Sequence, residues 1–144
     1  MLAKDIDETK GMVPETHIAR NVPVKDGWAR IAIPGGGVYE GDVVGGVPGG
    51  RGKATYADES VYVGSWAGGL QEGEGKFSWK DGDEYEGSFR GGASHGRGTF
   101  KWADGKIYEG GWENDQITGE GRMRMPDGSQ LEGKWKNGVL SPRP

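Results

Sequence analysis

The chain has 144 residues, a net charge of −4 and no cysteine. An acidic chain without a basic stripe argues against nucleic acid as a partner. The missing cysteines exclude disulfides and thiolate chemistry, and no apolar run approaches the roughly 18 residues that a spanning helix needs.

Thirty glycines and a hydrophobic fraction of 33% would suit a disordered chain, but six Trp, five Tyr and three Phe recur in register and argue for an ordered one.

In chain order, residues 1–26 fit no period. The opening MLAKDIDETKGMVPE carries acids where a secretory signal needs an apolar stretch, so a soluble, cytoplasmic protein is expected. The segment is expected to be a lead or a cap over the first sheet edge, with Ile18, Val22 and Val24 available for an edge strand. Residues 27–138 form a repeat domain. Stretch 27–38 fits the second half of one copy, with Ile31 and Ile33 in its large-residue slots. Full copies follow at 39–61, 62–84, 85–107 and 108–130, and a partial copy at 131–138. Residues 139–144 are expected to be a frayed tail.

The period is 23 residues, marked by Tyr39, Tyr62, Tyr85, Tyr108 and then Leu131. Glycine follows two positions on, at Gly41, Gly64, Gly87, Gly110 and Gly133. Two further on come Val43, Trp66, Phe89, Trp112 and Trp135. A Gly-x-Gly pair opens the second half of each copy, as in Gly73/Gly75 and Gly96/Gly98, and large residues follow at Phe77/Trp79, Phe100/Trp102 and Met123/Met125. Three copies close on Asp-Gly.

Large residues alternate with small or polar ones, which is the strand period. Asp-Gly between two such runs marks a hairpin. A three-residue loop, Lys80-Asp81-Gly82, pairs Trp79 with Asp83 and Phe77 with Tyr85 and keeps every ring on one face. A two-residue loop would split the rings between faces. The chosen register sets Gly75 against Gly87, Gly98 against Gly110 and Gly121 against Gly133. It also sets Gly73 against Phe89, Gly96 against Trp112 and Gly119 against Trp135. Lys76 then faces Glu86, and Arg122 faces Glu132. Within a copy, a six-residue loop from Ala67 to Glu72 pairs Trp66 with Gly73, Gly64 with Gly75 and Tyr62 with Phe77. The expected fold is all-β: a single-layer, curved antiparallel meander of repeated β-hairpins, with rings lying over bare backbone.

Tyr-x-Gly-x-Trp, Gly-x-Gly-x-Phe and Asp-Gly at a 23-residue period resemble the MORN (membrane occupation and recognition nexus) repeat over about residues 27 to 138. The copy at 39–61 departs most: Val43 replaces the ring and Glu59 the turn glycine, so a poorer turn is expected there. Some relatives of this kind carry a catalytic domain, for which this chain has no room beside its repeats.

Chemistry-bearing motifs are few. His17 and His95 lie in different parts of the chain with no second imidazole nearby, which argues against zinc. His95 is placed in a solvated tip loop, 90–95. Gly45 to Arg51 and Gly91 to Arg97 approach a phosphate-loop pattern but lack the required Lys-Ser/Thr. Glu40, Glu86, Glu109 and Glu132 occupy equivalent outer positions, which suits a solvated face better than a catalytic carboxylate pair. No catalytic residue, metal or cofactor is implied.

A single sheet has no second layer to cover its apolar face, so rings that the curl leaves bare would bind a partner. The candidate contact strip is Tyr62, Trp66, Tyr85, Phe89, Tyr108 and Trp112, with self-packing as the plain alternative. The expected function is a non-enzymatic protein-interaction scaffold or spacer that takes an extended protein partner in its aromatic/glycine groove. The alternatives are a membrane phospholipid-binding module and a carbohydrate-binding module. Unpaired end strands also allow a homo-oligomer.

Overall fold

A computed structural model describes residues 25–33 and 35–141. The cap strand suggested around Ile18, Val22 and Val24 lies outside the described residues. Eleven strands run in chain order through one antiparallel sheet. They are β1 (Gly27–Ile33), β2 (Gly37–Val44), β3 (Val47–Thr55), β4 (Val61–Ala67), β5 (Leu70–Ser78) and β6 (Glu84–Arg90), followed by β7 (Ala93–Lys101), β8 (Ile107–Glu113), β9 (Gln116–Arg124), β10 (Gln130–Lys136) and β11 (Val139–Leu140). The last pair extends the sheet beyond the expected repeat limit at 138, because Val139 and Leu140 pair with Lys136 and Trp135.

The Asp-Gly turns have the length that side-chain parity requires. Trp79 N–H donates to Asp83 O at 2.9 Å, and Gly82 N–H donates back to Trp79 O at 3.0 Å. Phe77 therefore pairs with Tyr85, Gly75 with Gly87 and Gly73 with Phe89. The same register recurs between β7 and β8 and between β9 and β10. Asp81, Asp104 and Asp127 each accept the N–H two residues on, which fixes the loop locally.

At residues 56–60 the same turn forms without glycine. Glu59 N–H reaches Tyr56 O at 2.9 Å, and Tyr56 N–H reaches Ser60 O at 2.9 Å. The hydrogen bonding expected to suffer is intact, and the cost lies instead in the Glu59 backbone, held at φ +71°.

The other turns differ from expectation. No six-residue loop spans Ala67 to Glu72. Gly68 and Gly69 make a two-residue turn with φ of +57° and +86°, and Ala67 pairs with Leu70 and Trp66 with Gln71. Both central residues are left-handed, the backbone that twists with the flanking strands. The extra residues are absorbed by a bulge between Gly64 and Trp66. Consequently His95 lies within β7 and is half-buried, with Arg90 Nη1 3.4 Å from its Nε2. Gly45 to Arg51 and Gly91 to Arg97 are each a tight turn plus the strand that follows it.

Successive tight turns are tied together. The second turn residue donates its N–H to a carbonyl of the preceding hairpin: Gly69 to Pro48, Gly92 to Gln71, Asp115 to Ser94 and Gly138 to Ile117, at 3.0–3.1 Å. Across the ribbon the sheet curls until the two rows of turns meet, and Gln71 Nε2 donates to Tyr56 Oη at 3.0 Å. This closure supplies the burial that a flat single sheet lacks. On the outer face the registers Lys76–Glu86 and Arg122–Glu132 hold. The closest ion pairs there lie elsewhere, Lys76 with Glu84 at 3.5 Å and Arg122 with Glu109 at 3.3 Å.

Replacing Glu59 by glycine should stabilise the fold by about 1 kcal/mol, because relief of the left-handed penalty exceeds the added freedom of the unfolded chain. The exposed Lys80–Glu59 pair that is lost contributes little. Urea denaturation of Glu59→Gly against the native chain measures the difference.

Candidate functional site

The six residues of the candidate strip lie together, but inside the curl. Tyr62 and Tyr108 are fully buried, and Tyr85, Trp66, Phe89 and Trp112 are exposed by 4% or less. The plain alternative, self-packing, describes these rings. A partner could reach them only by opening the sheet.

Glycine makes this packing possible. Tyr39, Tyr62, Tyr85 and Tyr108 each lie over the glycine pair of their own and the next strand. A Cβ on Gly75 would sit 2.5 Å from Tyr62 Cε1, and one on Gly98 2.5 Å from Tyr85 Cε1. Both are far inside van der Waals contact. Across the same row the backbones themselves touch: a Cβ on Gly64 would lie 2.5 Å from Gly75 Cα. The phenol then reaches past the glycines to a carbonyl three residues on. Tyr62 Oη donates to Ser65 O at 2.8 Å, Tyr85 Oη to Ser88 O at 2.8 Å and Tyr108 Oη to Gly111 O at 3.2 Å.

Two aromatic ladders run along the rod. One alternates edge-to-face contacts from Tyr39 through Trp66, Tyr62, Phe89, Tyr85, Trp112 and Tyr108 to Trp135, with centroids 5.0–5.7 Å apart. The indoles also bind backward. Trp66 Nε1 donates to Gly52 O, Trp112 Nε1 to Gly98 O and Trp135 Nε1 to Gly121 O, at 2.9–3.0 Å. The second ladder runs beside the Asp-Gly turns through Tyr56, Phe77, Trp79, Phe100 and Trp102.

This second ladder ends where Met123 stands in place of a phenylalanine. A cleft of about 310 Å³ opens there, between the two rows of turns. Trp102, Ile117 and Met123 line it, and Lys106, Asp115, Gln116 and Asn137 ring it. Trp102 is half-buried, with Lys106 Nζ 4.4 Å from its ring centre. Asp115 Oδ1 accepts from both the N–H and the hydroxyl of Ser94, which holds this carboxylate at the rim. The sequence signals for the cleft were the Met for Phe exchange and the 23-residue recurrence of Gly68-Gly69, Gly91-Gly92 and Asn114-Asp115. Among the described residues, no three of His, Cys, Asp and Glu gather to hold a metal ion.

All five tyrosines resist ionisation. Burial is the first cause for each, and for Tyr39 the nearby Asp42 carboxylate adds to it and takes its pKa up to about 12. A folded pKa above the unfolded value of about 10 means that the contribution to stability is fully present below that pH and is lost as pH rises through the folded values. The fold should therefore hold to about pH 9.5 and then unfold as pH climbs past the unfolded tyrosine pKa. Phenolate absorbance at 295 nm and far-UV circular dichroism should change together; phenolate formation in advance of unfolding would contradict the burial.

The buried indole also makes Trp66→Ala a folding mutation. It should cost about 3–5 kcal/mol, well beyond an effect confined to partner capture. Trp66→Phe, which keeps the ring contacts and strands the Gly52 carbonyl, should cost about 1–2 kcal/mol. Chemical denaturation of both variants checks the order.

No curated protein matches the chain. Among solved structures, one similar chain is the TCP domain of SAS-4 (dCPAP) from Drosophila melanogaster, in complex with a proline-rich motif of Ana2 (dSTIL). It is 12% identical, covers 84% of this chain and 82% of its own, and superimposes with a TM-score of 0.33. The family model for the MORN repeat matches residues 39–61, 62–84, 85–107 and 108–130, four consecutive copies in the register described above. The chain belongs to the MORN repeat family.

Proposed function

We propose that the protein is a non-enzymatic interaction scaffold that holds an extended segment of a protein partner at the open end of its aromatic seam. The observation that carries this reading is the cleft at Trp102, where a ladder of mostly tilted rings stops at a reachable indole and an apolar floor. A partner side chain with a ring or a branched apolar group would extend the ladder by one step. Main-chain polar groups beside it would meet Gln116, Asn137 and Asp115 at the rim. The rings of the sequence-derived strip act beneath this surface, setting the curl that brings the two turn rows together.

The rest of the surface fits a spacer. Four copies in constant register make a continuous sheet whose length is set by copy number. Anionic phospholipid is a weaker reading, since the net charge is −4 and Lys76, Arg122, Arg30 and Lys80 each lie beside a glutamate. A sugar ring on Trp102 is the remaining reading.

The test uses Gln116→Arg, which fills the rim without touching the core, together with Trp102→Ala. Both variants should keep a cooperative melt and lose at least tenfold, on the order of 1.4 kcal/mol, in affinity for partners captured by the native chain. Unchanged affinity in both would remove the cleft from consideration. Flotation with anionic vesicles would transfer the reading to lipid, and a selective signal on a glycan array would transfer it to carbohydrate.

A further inference from the structure

The two ends of the sheet are complementary halves of one repeat. At one end, β10 supplies the first strand of a copy, Asn137-Gly138 its tight turn and β11 the start of its second strand, but along Gln130–Gly133 no described strand lies on its outer side. Leu131 is 45% exposed there, whereas Tyr39, Tyr62, Tyr85 and Tyr108 in the same slot are exposed by 1% or less. At the other end, β1 has the form of a second strand, and no described strand precedes it.

Five features of β1 match the second strand that would follow β10 in the repeat. Gly27 sits at φ +117°, in the left-handed region used at the same repeat position by Gly50, Gly73, Gly96 and Gly119. Asp26 Oδ1 accepts the N–H of Gly45 at 2.9 Å, as Glu72 Oε1 accepts that of Gly91 two copies on. Ile31 falls in the slot of Met123, which pairs with Tyr108 inside the sheet, and so would face Leu131. Arg30 falls in the slot of Arg122, which pairs with Glu109 at 3.3 Å, and so would face Glu132.

The fifth feature is a matched exception. Among the described strands, the row that runs from Ala29 through Gly41 to Gly133 is glycine except at Ala29, and the tyrosine column is broken by Leu131 alone. From Gly41 to Gly121 a methyl in the row would strike the tyrosine lying over it. At a junction between β10 and β1 the side chain over Ala29 would be Leu131, which has no phenol to strike. The two departures thus fall on the same contact.

We propose that a second copy of this chain docks its β1 on the β10 edge of the first, antiparallel, with Leu131 opposite Ile31, Glu132 opposite Arg30 and Gly133 opposite Ala29. The joint completes a repeat from two halves. Counting from β11, Ser141 and Asp26 fall at one shared position, so the two chains part to solvent there. The contact is head to tail, so every product keeps one β10 edge and one β1 edge that the contact does not use, and growth continues in steps. This inference is independent of the cleft at Trp102.

The experiment is a sedimentation and light-scattering series on the full chain from micromolar to millimolar concentration, with two surface variants. The native chain should rise in mass past the dimer. Leu131→Lys places a charge on the β10 edge, and Arg30→Glu sets like charges opposite Glu132; each alone should weaken association about tenfold or more. Each variant keeps one intact end, so an equimolar mixture of the two should form a dimer containing one copy of each. A native chain that stays monomeric at millimolar concentration overturns the proposal. So does a mass that levels at the dimer, or a mixture that associates no better than its parts. Thermal melts of both variants, expected within a few degrees of the native chain, separate a lost contact from a lost fold.

Discussion

A phenol ring lying on backbone that carries no side chain is the contact on which this molecule depends. A single β-sheet ordinarily needs a second layer to cover its apolar face. Here the glycine rows let tyrosines and tryptophans sink onto the sheet itself, and the sheet bends around them until its two rows of turns touch. Core and scaffold are the same layer. Each full copy from residue 62 on contributes to this ladder one tyrosine, a glycine pair beneath it and one indole or phenyl ring, and the rings interlock from copy to copy through edge-to-face contacts. Burial is therefore a property of the array, and a lone hairpin would leave its rings in water.

The parts of the fold that followed from side-chain parity were legible in the sequence. Phe77 opposite Tyr85, and Gly75 between Gly64 and Gly87, come out of the period of two and the need to keep large residues on one face. The tight turns were not legible in the same way. In a chain with thirty glycines, the pair Gly68-Gly69 does not stand out as a turn, and the bulge beside Trp66 leaves no mark of its own. Asn114-Asp115 and Asn137-Gly138, at the same spacing, carried the signal through their tolerance of left-handed backbone.

The candidate strip shows a different limit. Sequence placed Tyr62, Trp66, Tyr85, Phe89, Tyr108 and Trp112 side by side on one face, and they are so placed. Whether such a face is open or closed depends on curvature, which arises from many small bends at glycine and cannot be read from any one copy. Once the curl is known, the proposed sites for contact lie where the pattern is interrupted. Met123 ends a ladder and opens the cleft at Trp102, while Ala29 and Leu131 mark the two ends. In a repeat protein the regular positions build the object, and departures from them carry the information about what it meets.

One interruption lies mid-rod. At three of the four joints that follow the copies at 39–61, 62–84, 85–107 and 108–130, an indole N–H is anchored to the carbonyl of the glycine fourteen residues back. Phe89 occupies that place between the copies at 62–84 and 85–107 and has no proton to give, though its ring still contacts Tyr62 and Tyr85. Sheet ladder and ring packing continue through this joint, but the indole clamp does not. At this joint the load falls instead on the sheet ladder, the ring contacts and two outer hydrogen bonds, Gly91 N–H to Glu72 Oε1 and Ser88 Oγ to Glu74 Oε2.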